Sequence, residues 1–130
     1  MQYVLQKPGK RKVKKDIREA SRLTLKEWRT WVQQWWRVES ITEKFNYHRA
    51  IFPIEIPYRL IRMYSYVGDT VLDPYMGTGA TMIAADDCSR SSIGFEIDTK
   101  CGIMVRKRIE FDLCPLIDEI PDYELLRIDK

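Results

Sequence analysis

Val71-Leu72-Asp73-Pro74-Tyr75-Met76-Gly77-Thr78-Gly79-Ala80-Thr81, followed shortly by Gly94-Phe95-Glu96-Ile97-Asp98, is the stretch that decides the fold. Val71 and Leu72 are bulky apolar residues ahead of an acid, the pattern of the end of a buried strand. Gly77 and Gly79 permit a tight turn and a close approach of backbone to a ligand. Ala80 onward (ATMIAADDC) suits a helix whose first amides face that ligand. A second strand, Ser92 to Ile97, brings Glu96 to where a ribose hydroxyl would need an acceptor. Strand, glycine turn, helix, strand and acid form the core of a nucleoside-binding site. A dinucleotide fold wants a third glycine for close helix–strand packing, and Met82 stands there instead. A ligand without phosphate therefore fits better than NAD.

On the N-terminal side of this motif, Pro57 is placed as the first residue of a helix. Leu60, Ile61 and Tyr64 form its apolar stripe, with Arg59 and Arg62 off it, and Val67-Gly68-Asp69 supplies a glycine stop. Residues 37–56 lack a clean period and contain an aromatic loop, Asn46 to Pro53. Further upstream, Thr24-Leu25-Lys26-Glu27 is a capping box. Trp28, Trp31, Val32 and Trp35 follow at i, i+3, i+4 and i+7, predicting a helix that ends near Trp36. That stripe reads as a packing face, and Trp36, off it, is the candidate for contacts outside the core. Tyr3 to Leu5 is a weak strand candidate. Beyond the motif, Lys100 to Phe111 reads as a helix with Ile103, Met104 and Ile109 inward and Arg106-Lys107-Arg108 outward. Leu113 to Ile117 is a candidate edge strand, since Pro115 argues against a central one.

A chain of 130 residues, 45% hydrophobic and 32% charged, has the length and composition of one globular domain. No apolar run approaches the roughly 20 residues of a membrane span, so no membrane partner and a cytoplasmic location are expected. Cys88, Cys101 and Cys114 lack C-x-x-C spacing and His48 is the only histidine, which argues against a structural zinc site or a disulfide framework. Buried reduced thiols are the simpler reading. Residues 1–22 hold eight Lys/Arg against two acids, while residues 23–130 hold 14 against 17. A basic arm on a slightly acidic body suits nucleic-acid phosphates, or is simply a solvated tail.

The segment HRAIFPIEIPYRLIRMYSYVGDTVLDPYMGTGATMIAADDCSRSSIGFEID resembles the C-terminal half of the permuted, beta-class-like DNA amino-methyltransferases of restriction–modification type. Three motifs occur in the family's order and spacing, and the likeness extends over roughly residues 20–110. The resemblance implies transfer of a methyl group from S-adenosylmethionine to an exocyclic amine of adenine or cytosine in DNA. It implies that Asp73 fixes the methionine amino group, with Pro74 and Tyr75 beside it, Tyr75 standing where the family usually has Phe. Gly77, Thr78 and Gly79 would bring backbone to the cofactor, Thr81 would lie at the helix start, Glu96 would accept from the ribose hydroxyls, and Ile97 would pack on adenine. His48, Ala50 and Phe52 would line the methionine end. Lys10, Arg11, Lys12, Lys14 and Lys15 are the nucleic-acid candidates.

The family's chemistry resides on a [D/N/S]-P-P-[Y/F/W] loop that holds the flipped base. Pro-Pro occurs nowhere in these 130 residues, and Asp73-Pro74-Tyr75 belongs to the glycine turn. No catalytic residue is therefore assigned. The expected fold is α/β: a partial Rossmann-like class I methyltransferase fold, with an incomplete parallel sheet and flanking helices. Its expected divisions are a basic arm (1–22), an S-adenosylmethionine-binding half-domain that opens with the Trp-rich helix (23–112) and an acidic extension (113–130). Two parallel strands with open edges call for more sheet. The expected partner is a complementary chain bearing the catalytic loop, or a second copy joined through the exposed edge. The competing reading is a non-catalytic nucleic-acid-binding or regulatory remnant.

Overall fold

The computed structural model describes residues 9–38 and 53–112. Tyr3–Leu5, the tail strand at Leu113–Ile117, and His48, Ala50 and Phe52 lie outside these. In chain order the elements are α1 (Lys15–Ala20), α2 (Leu25–Trp31), α3 (Glu55–Tyr64), β1 (Thr70–Asp73), α4 (Ala80–Asp87), β2 (Ser91–Gly94) and α5 (Thr99–Asp112). None of the helices is long and apolar enough to cross a membrane, among the described residues.

β1 and β2 pair in parallel, with Val71 opposite Ser92, Leu72 opposite Ile93 and Asp73 opposite Gly94. Side chains alternate between the two faces of such a pair. The face carrying Val71 is covered: Ile61 of α3 packs with Ala84 and Ala85 of α4 and with Cys88 at its C-cap, and Ile54, Tyr58 and Val71 close around them. Alanines at the contact let the two helices approach closely. The other face is bare, with Leu72 63% and Ile93 52% exposed. The expected incomplete parallel sheet with flanking helices is thus the observed one. β2 was expected to run to Ile97 and stops at Gly94. Phe95 still donates to Asp73 O and accepts from the Met76 amide, both at 2.9 Å. Beyond that the glycine turn draws the chain out of register. Gly94 is required there: a Cβ would lie 2.5 Å from Met76 Sδ and 3.0 Å from Met76 Cβ.

The Trp-rich region differs more from expectation. The capping box forms: the Glu27 amide donates to Thr24 Oγ1 at 3.2 Å and the Thr24 amide to Glu27 Oε2 at 2.7 Å. α2 nevertheless ends at Trp31, not near Trp36. Of the expected stripe, Trp31 meets α3 edge-on to Tyr58, with ring centroids 6.1 Å apart. Trp28, Val32 and Trp35 are exposed, Trp35 at 87%. Trp36, expected to look outward, folds back and donates its indole N–H to Trp31 O at 2.9 Å. The cause lies on α3. Arg59 was placed off the packing stripe but is buried, paired with Glu55, with its guanidinium over the rings of both Trp31 and Trp36. A guanidinium is attracted to the face of each indole, which holds both rings against Arg59. Tyr64, expected inward, is 58% exposed. Pro57 is the third residue of α3, still within the first turn, where no intrahelical donor is needed.

The described part of the arm, residues 9–22, is more structured than a solvated tail. It contains α1, and Ser21 beyond it is buried, accepting from the Val67 amide at 2.8 Å. Arg11 grips Asp69 with two nitrogens, at 2.8 and 2.7 Å. On α5, Ile103 was expected inward but is 59% exposed; Cys101 and Val105 are the buried pair, one turn apart. Cys88 and Cys101 are buried free thiols, and burial raises the pKa of both.

Candidate functional site

The carboxyl end of β1 is where a parallel sheet places a ligand, and here three carboxylate–amide contacts shape the backbone. Asp73 Oδ1 accepts the Tyr75 amide at 3.0 Å, closing the first bend. Gly77 takes a positive φ of 56° and donates its amide to Glu96 Oε2 at 2.8 Å. The other oxygen of Glu96 accepts the Asp98 amide at 2.8 Å. Glu96 thus bridges the glycine turn to the segment after β2. Gly79, at φ 83°, is the N-cap of α4 and donates to Met76 O at 3.0 Å. As a glycine it supplies no side-chain cap to the first amides of α4.

Beside this turn lies a crevice of about 510 Å³. Pro57, Leu60 and Ile61 form one wall, Val71 to Asp73 the floor, and Tyr75 to Thr78 with Ala80 and Thr81 the other wall. The lining is mostly apolar, with Asp73 as its charged group. Among the described residues no cation pairs with Asp73 or Glu96. A cationic or hydroxyl-bearing ligand would meet two carboxylates on either side of a backbone turn.

The sequence-derived candidates are distributed as follows. Asp73, Tyr75, Gly77, Thr78 and Thr81 line the crevice. Pro74 and Gly79 belong to the same turn. Glu96 is half-buried against the turn, and Ile97, 92% exposed, lies just beyond it. The arm bases Lys10, Lys12, Lys14 and Lys15 are exposed. Arg11, through Asp69, is tied to the chain just before β1, at the end of the strand away from the crevice. Four contributors escaped the sequence reading: Pro57, Leu60 and Ile61 in the crevice wall, and Arg108. Arg108 was expected to point outward, yet its Nη1 donates to Thr78 O and Thr78 Oγ1, both at 3.1 Å. Its spacing of three from Val105 and seven from Cys101, on one helix face, was the available signal.

Strand, glycine turn, helix and second strand with a bridging acid make up a partial Rossmann-like, class I methyltransferase fold. The family model described as DNA methylase, of the N6/N4 kind, matches residues 2–102, and the chain belongs to that family. It is 44% identical over 106 residues to the type II methyltransferase M.MjaI of Methanocaldococcus jannaschii, covering 79% of this chain and 35% of that protein. With the type II methyltransferase M.BglI of Bacillus subtilis it shares 36% over 109 residues, covering 83% of this chain and 30% of the relative. A protein of Thermus thermophilus described as a DNA modification methylase, solved in complex with S-adenosyl-L-methionine, superposes with a TM-score of 0.68 at 34% identity. That match covers 84% of this chain and 41% of the other. The chain spans about a third of the length of the curated relatives it matches.

Proposed function

We propose that this chain is the S-adenosylmethionine-binding portion of a DNA methyltransferase acting on an exocyclic amine of adenine or cytosine. The observation that carries the reading is the pair of carboxylates flanking one glycine turn. Asp73 lines a crevice without a cation of its own, and Glu96 stands across the turn. Asp73 would hold the ammonium of the methionine moiety, with Tyr75 beside it. Glu96 keeps lone pairs for ribose hydroxyls while bonded to two amides. The exposed Ile97 would cover the adenine ring, and Gly77, Thr78, Gly79 and Thr81 would bring backbone to the ligand. His48, Ala50 and Phe52 complete the assignment as residues of the methionine end. The bound S-adenosylmethionine would supply the methyl group.

The methyl acceptor is held elsewhere in this reading. No Pro-Pro occurs in the sequence, so the catalytic [DNS]PP[YFW] loop belongs to a second chain or segment. The exposed Leu72 and Ile93 face and the pairing of only two strands among the described residues support such a complement, because parallel strands are normally covered on both faces. Lys10, Arg11, Lys12, Lys14 and Lys15 are proposed for DNA phosphates, with Arg11 already engaged by Asp69. Calorimetric titration of the folded chain with S-adenosylmethionine tests the reading. Binding is expected, with loss in Asp73→Ala and Glu96→Ala. No heat, either alone or after addition of a complementing methyltransferase half, overturns it. Salt-dependent DNA binding without any response to the cofactor would instead support the non-catalytic remnant.

A further inference from the structure

The glycine turn is braced from the α5 side as well as from Glu96. Cys101, Val105 and Arg108 fall on one face of α5, and the first two are fully buried. Val105 sits over Gly79 so closely that a Cβ there would lie 3.2 Å from Val105 Cγ2. One turn further along, Arg108 takes both oxygens of Thr78.

The consequence is clearest peptide by peptide. The Met76–Gly77 peptide is fixed at both polar atoms, its carbonyl by the Gly79 amide and its N–H by Glu96. The Thr78–Gly79 peptide is fixed likewise, its N–H by Met76 O and its carbonyl by Arg108. Between them, the Gly77–Thr78 peptide makes no hydrogen bond to protein among the described residues. A charged donor on a carbonyl is among the stronger hydrogen bonds a protein makes. We propose that Arg108 is a positioning residue: it locks the Thr78–Gly79 peptide and so presents the Gly77–Thr78 peptide to the ligand. For its ligand this rests on the S-adenosylmethionine reading above; the clamp itself rests on geometry.

Two measurements on the full 130-residue chain test it. Hydrogen exchange without ligand should accelerate about tenfold at the hydrogen-bonded Gly77 and Gly79 amides in Arg108→Ala, as expected when a charge-assisted hydrogen bond is lost. The Ile83–Ala85 amides in α4 should stay unchanged, and Arg108→Lys should restore most of the protection, since an ammonium still reaches a carbonyl. Titration with S-adenosylmethionine should show an affinity loss of about tenfold in Arg108→Ala and less in Arg108→Lys. Thr78→Val, which keeps the carbonyl and removes the hydroxyl, should lose less than Arg108→Ala. Exchange that is unchanged, or that accelerates equally through α4, overturns the clamp. If the wild type binds and Arg108→Ala binds equally, the positioning role fails while the cofactor reading stands. If the wild type does not bind, the cofactor reading falls, and local acceleration or its absence still upholds or overturns the clamp.

Discussion

β1 has an aspartate at each end, and the two carboxylates are treated differently. Asp69, just before the strand, receives two nitrogens of Arg11 and the Tyr66 amide at 2.9 Å. Asp73, the last residue of the strand, receives the Tyr75 amide and lines an open crevice without an ion pair among the described residues. Around the first end the polar groups close on one another: Ser21 takes the Val67 amide, and Arg90 bonds Ser65 and Cys88 O. Around the second, carboxylates hold backbone in shape and keep capacity for something outside the chain. One short strand thus separates a stability end from the end where the ligand is proposed to bind, at the carboxyl edge of the parallel sheet.

Exchanging one atom at each aspartate is the most direct way to break this contrast. Asp73→Asn keeps an oxygen for the Tyr75 amide but loses the charge, so S-adenosylmethionine affinity should fall about a hundredfold, the scale of a charge-assisted bond. Its melting temperature should barely move. Asp69→Asn should do the reverse, with affinity within about twofold and a lower melting temperature. Calorimetry and thermal melting of both variants check the pair. If both lower affinity equally, the division between the strand ends is wrong.

Two glycines sharpen it next. Gly68 and Gly79 have nearly the same left-handed φ, 80° and 83°. A Cβ on Gly68 meets open space, whereas one on Gly79 meets Val105. Gly68→Ala should therefore cost only the backbone strain of about 1–2 kcal/mol. Gly79→Ala should cost about 1 kcal/mol more through overpacking. Val105→Ala in the same chain should recover that extra part in a denaturant-unfolding cycle. Equal costs for the two glycines would show that α5 does not press on the turn.

What the sequence revealed follows the same division. The glycine turn, β1, α4 and Glu96 were legible because their residue types are dictated locally by turn geometry and an acid at a strand end. The Trp-rich region was not, because its arrangement depends on a partner distant in sequence. Trp28, Trp31, Val32 and Trp35 keep helical spacing, yet buried Arg59 on α3 draws in Trp31 and Trp36. α1 escaped notice because six mostly polar residues show no period. Arg108 looked like one of three solvent-facing bases, and only the fold reveals that Thr78, thirty residues away in sequence, is its acceptor. Trp36→Ala should accordingly destabilise the chain by about 1 kcal/mol, losing a hydrogen bond and a cation–π contact. Trp35→Ala should remain within about 0.5 kcal/mol, as an exposed substitution does.

The smallest expected effect lies in acid and salt. The Arg11 guanidinium, helped by the Tyr66 amide, holds Asp69 below its ordinary 3.8. The Thr24 amide does the same for Glu27, below its ordinary 4.5. A carboxylate depressed in the folded state stabilises the fold above its unfolded pKa, and that contribution is lost as pH falls through the folded value. Stability should therefore hold down to about pH 4–5 and drop further into acid. Asp69→Asn should melt about 2 °C lower than wild type at pH 7, a surface-pair effect. That gap should begin to narrow below about pH 4 and close as pH falls through the depressed folded value, where wild type loses its carboxylate too. Raising salt to about 1 M, where the screening length is about 3 Å, should shrink the gap as well, because Arg11 is exposed. The Glu27 contribution should resist salt better, since its first cause is a backbone hydrogen bond and not an ion pair. A gap for Asp69→Asn that persists unchanged at about pH 3 would mean the Arg11 grip contributes nothing, leaving the contrast between the strand ends to rest on Asp73 alone.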